Sequence, residues 1–211
     1  MPVFGTTNFG SGGTPDGTLA FAGKAGSSSN ASSYTISVAC GDGGDMVVAA
    51  YGQSGGDPSL STFTLDGQTI TVKAFEKDDS EVALYIGTCS GVSSGSNDCV
   101  VGWNRSMYRT MIFVWRVDNV DIVNMEQAVS ADAYNDTMNA YQSGSVVIAA
   151  TGTDTTTQIT GSSGLTFNGV QANESNMAGA SDLAADASTS FSFTNALGNR
   201  PLIVGLELSK G

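Results

Sequence analysis

Side chains that commonly carry enzyme chemistry are scarce in this sequence. It contains no histidine, so it lacks the commonest general base and the commonest ligand for zinc and copper. Two carboxylate clusters remain, Asp42 with Asp45, and Asp78 with Asp79 and Glu81. A carboxylate pair can serve a glycosidase, and the Asp/Gly loop around Asp42 can offer oxygen ligands to calcium. Both clusters lie at predicted strand ends, where aspartate is ordinary turn chemistry. We therefore predict no catalytic residue, no cofactor and no enzyme activity, and leave calcium binding open.

The three cysteines allow two interpretations. Cys89 and Cys99 flank the polar segment 90–98, and loop ends that join adjacent strands can come within disulfide range. A Cys89–Cys99 disulfide is one prediction. Two reduced thiols are the alternative, because the first residues lack the basic and apolar parts of a secretory signal and a cytoplasmic protein begins in a reducing compartment. Cys40 is in phase with the apolar residues of an alternating strand, which predicts a buried side chain.

A short aromatic and basic segment is the best candidate for an interface patch. Trp103, Arg105, Tyr108 and Arg109 lie within seven consecutive residues, and these residue types are enriched at protein interfaces. The alternative is a strand end whose Trp103 enters the core while the arginines stay solvated.

The charge balance restricts the partners. Twenty acidic and eight basic residues give a net charge of −12, which repels nucleic acid and anionic membranes. No apolar run approaches the length of a membrane helix. The 27 glycines and only 4 prolines are typical of many short strands joined by tight turns. We expect neither nucleic acid nor membrane as a partner.

Strand signals follow one another along most of the chain. Asp66-Gly67 supplies the two positive-φ residues of a type I′ hairpin turn. The polar stretch 118–142 predicts a long crossover, and 182–187 a short helical turn. Predicted strands span 18–22, 34–40, 46–51, 82–86, 100–103, 110–117, 145–151, 155–160, 165–170, 189–194 and 202–208. Residues on their apolar phase are predicted to form the core: Ile36, Val38, Val47, Ala49, Phe63, Ile70, Phe113, Trp115, Val147, Phe193 and Val204.

One internal echo bears on topology. The segments 44–52 (GDMVVAAYG) and 144–152 (GSVVIAATG) share a pattern at a spacing of one hundred residues. Two Greek keys of a jelly roll would contribute such equivalent strands to facing sheets. Chance similarity between apolar strands bounded by glycine is the alternative.

Together these patterns predict an all-β fold, a two-sheet antiparallel β-sandwich of jelly-roll type. Its single domain spans 18–211 and follows an extended N-terminal arm, residues 1–17. The arm carries Val3, Phe4 and Phe9 among glycines and threonines that cannot form a core alone. We predict that these three side chains dock on a partner.

The order of segments resembles a β-sandwich family of virion surface proteins in tailed bacteriophages. The resemblance rests on YTISVAC, DMVVAAYG, FTLDGQTITV, FVWRVDNVD and PLIVGLELSKG. It implies a capsid decoration or cement protein on the outside of the virion, made in the host cytoplasm. It also implies binding to the major capsid protein or another virion protein, and a homo-oligomer, most simply a trimer.

Two further functions stay open. A carbohydrate-binding or adhesive sandwich, part of a phage fibre, a tail or a cell surface, would use Trp103, Tyr108 and Tyr134 as stacking residues. A glycosidase would use Asp78 or Glu81.

Overall fold

A computed structural model describes residues 18–78, 81–118, 120–129, 135–138, 145–153, 159–163, 165–172, 176–185, 189–195 and 202–210. These residues form seventeen strands in four sheets, in which all pairing is antiparallel, and within them no helix could span a membrane. The strands of the first half are β1 (Thr18–Ser27), β2 (Ala31–Ala39), β3 (Gly44–Gln53), β4 (Leu60–Leu65), β5 (Gln68–Thr69), β6 (Thr71–Asp78), β7 (Val82–Val92), β8 (Ser96–Met107) and β9 (Arg109–Asp118). Those of the second half are β10 (Val120–Val129), β11 (Asn135–Met138), β12 (Ser145–Thr153), β13 (Ile159–Ser163), β14 (Thr166–Ala172), β15 (Asn176–Ala185), β16 (Thr189–Asn195) and β17 (Leu202–Lys210).

The sheets stack in four layers. The first half forms an outer sheet, β2-β8-β4-β5, and an inner sheet, β1-β9-β3-β7-β6. The second half forms an inner sheet, β10-β17-β12-β15-β14, and an outer sheet, β11-β16-β13. One apolar core lies between the first outer and first inner sheets, a second lies between the two inner sheets, and a third lies between the second inner and second outer sheets. The all-β class and the antiparallel sandwich predicted from the sequence are confirmed.

Burial along the strands follows this layering. In β2, Tyr34, Ile36 and Val38 are buried while the residues between them are exposed, because the first outer sheet has one covered face. In β3 every residue from Met46 to Gln53 is buried, because the first inner sheet is covered on both faces. Ten of the eleven predicted core residues are buried; the side chain of Val147 lies outside the part of the chain whose side chains are described.

The hairpin turn is also confirmed. Asp66 and Gly67 have φ values of 52° and 72°, and the turn joins β4 to β5, with Leu65 opposite Gln68. Positive φ at both central residues is what a type I′ turn requires.

Two local predictions were wrong. The stretch 118–142, predicted as a crossover, contains β10 and β11, and 182–187, predicted as a helical turn, begins inside β15. Among the described strands, β10 pairs only with β17 and β11 only with β16, so both are edge strands, which tolerate polar sequences. The predicted two-sheet sandwich is extended, since the described residues form two further sheets, β10-β17-β12-β15-β14 and β11-β16-β13.

The second half repeats the strand plan of the first. In the first half, β1 pairs with β9, β2 with β8, β3 with β7 and β4 with β5, so the pairs are nested. In the second half, β10 pairs with β17, β11 with β16 and β12 with β15, in the same neighbour order. The sequence echo therefore falls on β3 and β12, which are equivalent central strands of two facing inner sheets.

Two register breaks recur at equivalent places. The break in β3 between Gly44 and Met46, opposite Val92 and Cys89, corresponds to the break in β12 between Ser145 and Val147, opposite Ala185 and Asp182. The breaks in β6 after Val72 and in β14 after Phe167 also correspond. The structural register thus matches Met46 with Val147, one residue beyond the spacing of the sequence echo.

The seam between the two inner sheets packs aromatic rings of the first half onto glycines of the second. A Cβ atom on Gly152 would overlap the ring of Tyr51, and one on Gly179 would lie 2.7 Å from Cδ1 of Phe113 and would also overlap Trp115. The absence of a side chain at these glycines lets the rings approach the backbone.

Polar and aromatic contacts fix the position of the Phe113 and Trp115 rings. The indole Nε1 of Trp115 donates to Oδ1 of Asn168 at 2.8 Å, and Nζ of Lys24 donates to the carbonyl oxygen of Val170 at 2.6 Å. Phe21 packs against both Phe113 and Trp115, with centroid separations of 5.7 and 6.1 Å. The two halves therefore meet in a specific register.

A methyl group at the seam should destabilise the protein. We expect Gly179→Ala to lower the free energy of unfolding by about 1–3 kcal/mol, because the added Cβ forces the Phe113 and Trp115 rings to move. Urea denaturation followed by tryptophan fluorescence measures the change. The control is Gly161→Ala, where a Cβ meets nothing within 4 Å. Equal stability of the two variants would contradict the packing described here.

Candidate functional site

The predicted interface patch lies where the first outer and first inner sheets meet. The corner loop, residues 54–59, joins β3 to β4 beside it. Asn104 fixes this loop twice: its N–H donates to the carbonyl of Ser59, and its Oδ1 accepts from the N–H of Ser59, both at 2.9 Å. Lys77 forms a 2.7 Å ion pair with Asp57. The loop is therefore held from β6 and from β8.

Two of the four predicted patch residues, Arg105 and Tyr108, are exposed and pack against this loop. Tyr108 is 45% exposed, and its N–H donates to the carbonyl of Gln53 at 2.7 Å. Its hydroxyl lies against Gly55, and the Arg105 guanidinium lies against Gly56. Side chains at those glycines would occupy the same space, so the loop sequence makes room for both groups. Arg105 and Tyr108 form an exposed surface that we call the corner patch.

Trp103 does not belong to the corner patch, and its prediction as an interface or stacking residue was wrong. It is 3% exposed, and its Nε1 donates to Oγ1 of Thr110 at 2.8 Å. A buried indole with a satisfied N–H is a core residue. Arg109 is only partly buried and pairs in register with Gln53.

An exposed aromatic residue near the corner was not predicted. Phe75 on β6 is 44% exposed and stacks on Tyr85 with a centroid separation of 5.3 Å. Tyr85 in turn contacts Trp103 edge to face at 6.0 Å. The aromatic row thus runs from the core to the edge of the first inner sheet. The sequence shows Phe75 only as one apolar residue of a strand, and its exposure depends on β6 being an edge strand.

Asp42 and Asp45, the two aspartates considered as calcium ligands, lie in different surroundings. Asp42 accepts a 3.0 Å hydrogen bond from Arg116, which also pairs with Asp118 at 2.8 Å. Asp45 instead faces a cleft at the seam. Within the described ranges no group of three or more His, Cys, Asp or Glu side chains is arranged to hold a metal ion.

All three cysteines are buried free thiols, so the Cys89–Cys99 disulfide is not formed. β7 continues to Val92 and β8 begins at Ser96, which places both cysteines inside strands of facing sheets rather than at loop ends. Burial, reinforced by neighbouring thiols, raises the pKa of Cys89 and of Cys99 to about 12. Burial also raises the pKa of Cys40. Thiols with such pKa values are unreactive.

Alkylation should reveal this protection. At pH 8, a thiol with a pKa of about 12 holds about 1000-fold less thiolate than one at its ordinary value of 9.0. We expect iodoacetamide to modify the native protein at least about 1000-fold more slowly than the urea-unfolded protein, as mass spectrometry would show. The raised pKa values also predict that stability present below pH 9 is lost as the pH rises towards 12. Rapid alkylation of the native chain would contradict the buried positions.

A concave surface lies at the seam between the two inner sheets. This seam cleft has a volume of about 510 Å³ and opens to solvent. Both halves line it, with five residues from the first and three from the second: Asp45, Lys73, Thr88, Ser90 and Val117, then Val120, Asp121 and Leu208. Sequence reasoning missed this site because its members lie on six strands far apart in the chain.

Some residues singled out from the sequence as site residues lie outside the described part of the chain, and Asp78 and Glu81 lie at strand ends. Val3, Phe4, Phe9, Asp79 and Tyr134 lie outside the described residues. Asp78 ends β6, and Glu81 precedes β7 and accepts a 2.7 Å backbone hydrogen bond from Ser54. The backbone carbonyl of Glu81 thus contacts the corner loop.

No protein-family model matches this chain, and neither a curated protein nor a solved structure matches it.

Proposed function

We propose that this chain is a non-enzymatic structural protein that coats and stabilises the outside of a phage capsid. The observation that carries the proposal is the nested pairing of β1 with β9, β2 with β8, β3 with β7 and β4 with β5. Nested pairing of this kind supports the jelly-roll type expected from the sequence, with β6 added at one edge, and the second half follows the same plan. Jelly rolls are a recurrent architecture of viral capsid proteins.

The layered core supports a bracing role. Three apolar cores lie between four sheets, and the first inner sheet is covered on both faces. Interiors packed in this way have low compressibility and transmit strain. A cement protein needs such a body, because it reinforces a shell only if it deforms less easily than the contacts that it bridges.

The corner patch is the surface that we assign to docking on the major capsid protein. Tyr108 and Arg105 are exposed there, and aromatic and arginine residues carry a large share of the binding energy at protein interfaces. The patch packs against the corner loop, which is fixed by Asn104 and by the Lys77–Asp57 ion pair, so little ordering of the backbone is needed on binding.

Binding to shells tests the proposal. We expect the purified chain to co-sediment with capsid shells of its source virus that lack this protein. The double variant Arg105→Ala with Tyr108→Ala should bind at least about tenfold more weakly, because each such anchor typically contributes more than 1 kcal/mol. The control is Ser33→Ala with Thr35→Ala, two exposed side chains on β2. Failure of the intact chain to bind shells, or equal binding by both double variants, would count against the proposal.

The N-terminal arm tests the assembly. We expect the intact chain to have a solution mass three times its 21.5 kDa, and deletion of residues 2–12 to reduce trimer formation or shell binding. The deletion ends before β1, which begins at Thr18, so the melting temperature should stay unchanged. Light scattering and thermal denaturation measure these quantities. A deletion variant that unfolds, or that assembles and binds as the intact chain does, would show that the arm has another role.

A further inference from the structure

The seam cleft carries four polar side chains that the fold does not use. Within the part of the chain that the structure describes, no hydrogen bond or ion pair engages the side chains of Asp45, Lys73, Thr88 or Ser90. The other lysines with described side chains differ, since Lys24 binds a carbonyl and Lys77 binds Asp57. Four polar groups that converge on a cleft of about 510 Å³ without internal partners have the arrangement of a ligand site.

Irregularities in two strands position the charged side chains of the seam cleft. Asp45 and Lys73 are the residues at the register breaks of β3 and β6, and such bulges re-aim side chains next to binding sites. The equivalent of Lys73 in the second half is Asn168. There, Oδ1 of Asn168 accepts hydrogen bonds from Trp115 at 2.8 Å and from Ser181 at 2.9 Å. The same position is thus used for internal packing in one half and faces an open cleft in the other.

The chemistry of the lining selects the ligand class. The Asp45 and Asp121 carboxylates disfavour an anion, and Lys73 disfavours a metal cation. Carboxylates accept hydrogen bonds, the lysine ammonium donates them, and the hydroxyls of Thr88 and Ser90 do both. A neutral ligand rich in hydroxyl groups can satisfy Asp45, Lys73, Thr88 and Ser90 together.

The floor of the cleft fits the same class. Val117, Val120 and Leu208 are aliphatic; Val117 and Leu208 are buried beneath the cleft, whereas Val120 is only partly buried and can contact the C–H face of a pyranose ring. The volume of the cleft lies within the range of small-molecule sites. We infer that the seam cleft binds a neutral sugar, a hexose or N-acetylhexosamine residue at the end of a glycan. This site differs from the stacking site predicted around Trp103, and it does not depend on docking to a capsid.

Sugar titration tests this inference on the intact chain. The probes are neutral hexoses and N-acetylhexosamines, as monosaccharides and disaccharides, measured by saturation-transfer NMR and by thermal denaturation. We expect at least one probe to bind with a dissociation constant on the order of 1 mM. It should also raise the melting temperature, because both halves line the cleft and a ligand that binds only the folded chain stabilises it.

Variants locate the binding. Asp45→Asn and Lys73→Met should each weaken it about tenfold, since the first replaces a charged acceptor with a weaker neutral one and the second leaves a sugar hydroxyl without its donor. Asp98→Asn, an exposed aspartate on β8 in the first outer sheet, is the matched control and should bind like the native chain. If a variant does not fold, Ser90→Ala at an exposed position replaces it. The inference is overturned if no probe binds, if Asp45→Asn and Lys73→Met bind as the control does, or if only calcium or phosphate binds.

Discussion

The contact on which the rest of the molecule depends is the packing of aromatic rings from one inner sheet onto glycines of the other. Tyr51 lies on Gly152, and Phe113 and Trp115 lie on Gly179. Without this contact the odd-numbered face of β3 would expose a continuous apolar surface to water, which is unfavourable. The glycines let the rings reach the opposing backbone, so ring position and strand register are fixed together.

The two halves share a strand plan but have complementary residues at the seam. The register aligns Trp115 of β9 with Leu206 of β17, and Lys73 of β6 with Asn168 of β14. Where Trp115 meets Asn168, the seam is filled and hydrogen-bonded. At the equivalent place on the other side, smaller aliphatic residues meet Lys73, and the seam cleft remains. One side of the seam is therefore closed by a hydrogen-bonded tryptophan, and the other side leaves a cleft that is open to solvent.

The two surfaces proposed for binding differ in what holds them. The corner patch packs against the corner loop, which is fixed by Asn104 and by an ion pair, and all of these residues belong to the first half. The seam cleft exists only while the two halves are packed together, because β10 and β17 supply part of its lining. A ligand in the cleft would consequently be coupled to the stability of the seam, whereas a partner on the corner patch would not.

Local sequence determined the features that depend on neighbouring residues. The alternation in β2, the continuous apolar run of β3 and the Asp66-Gly67 turn are properties of short segments, and each was predicted from them. Tertiary structure decided which segments face each other. It placed Trp103 in the core, put Cys89 and Cys99 in facing sheets as free thiols, and made β10 a strand through its pairing with β17. It also brought the residues of the seam cleft together from six strands. These outcomes depend on contacts between residues distant in the chain, and the pattern of a single segment carries no information about its distant partners.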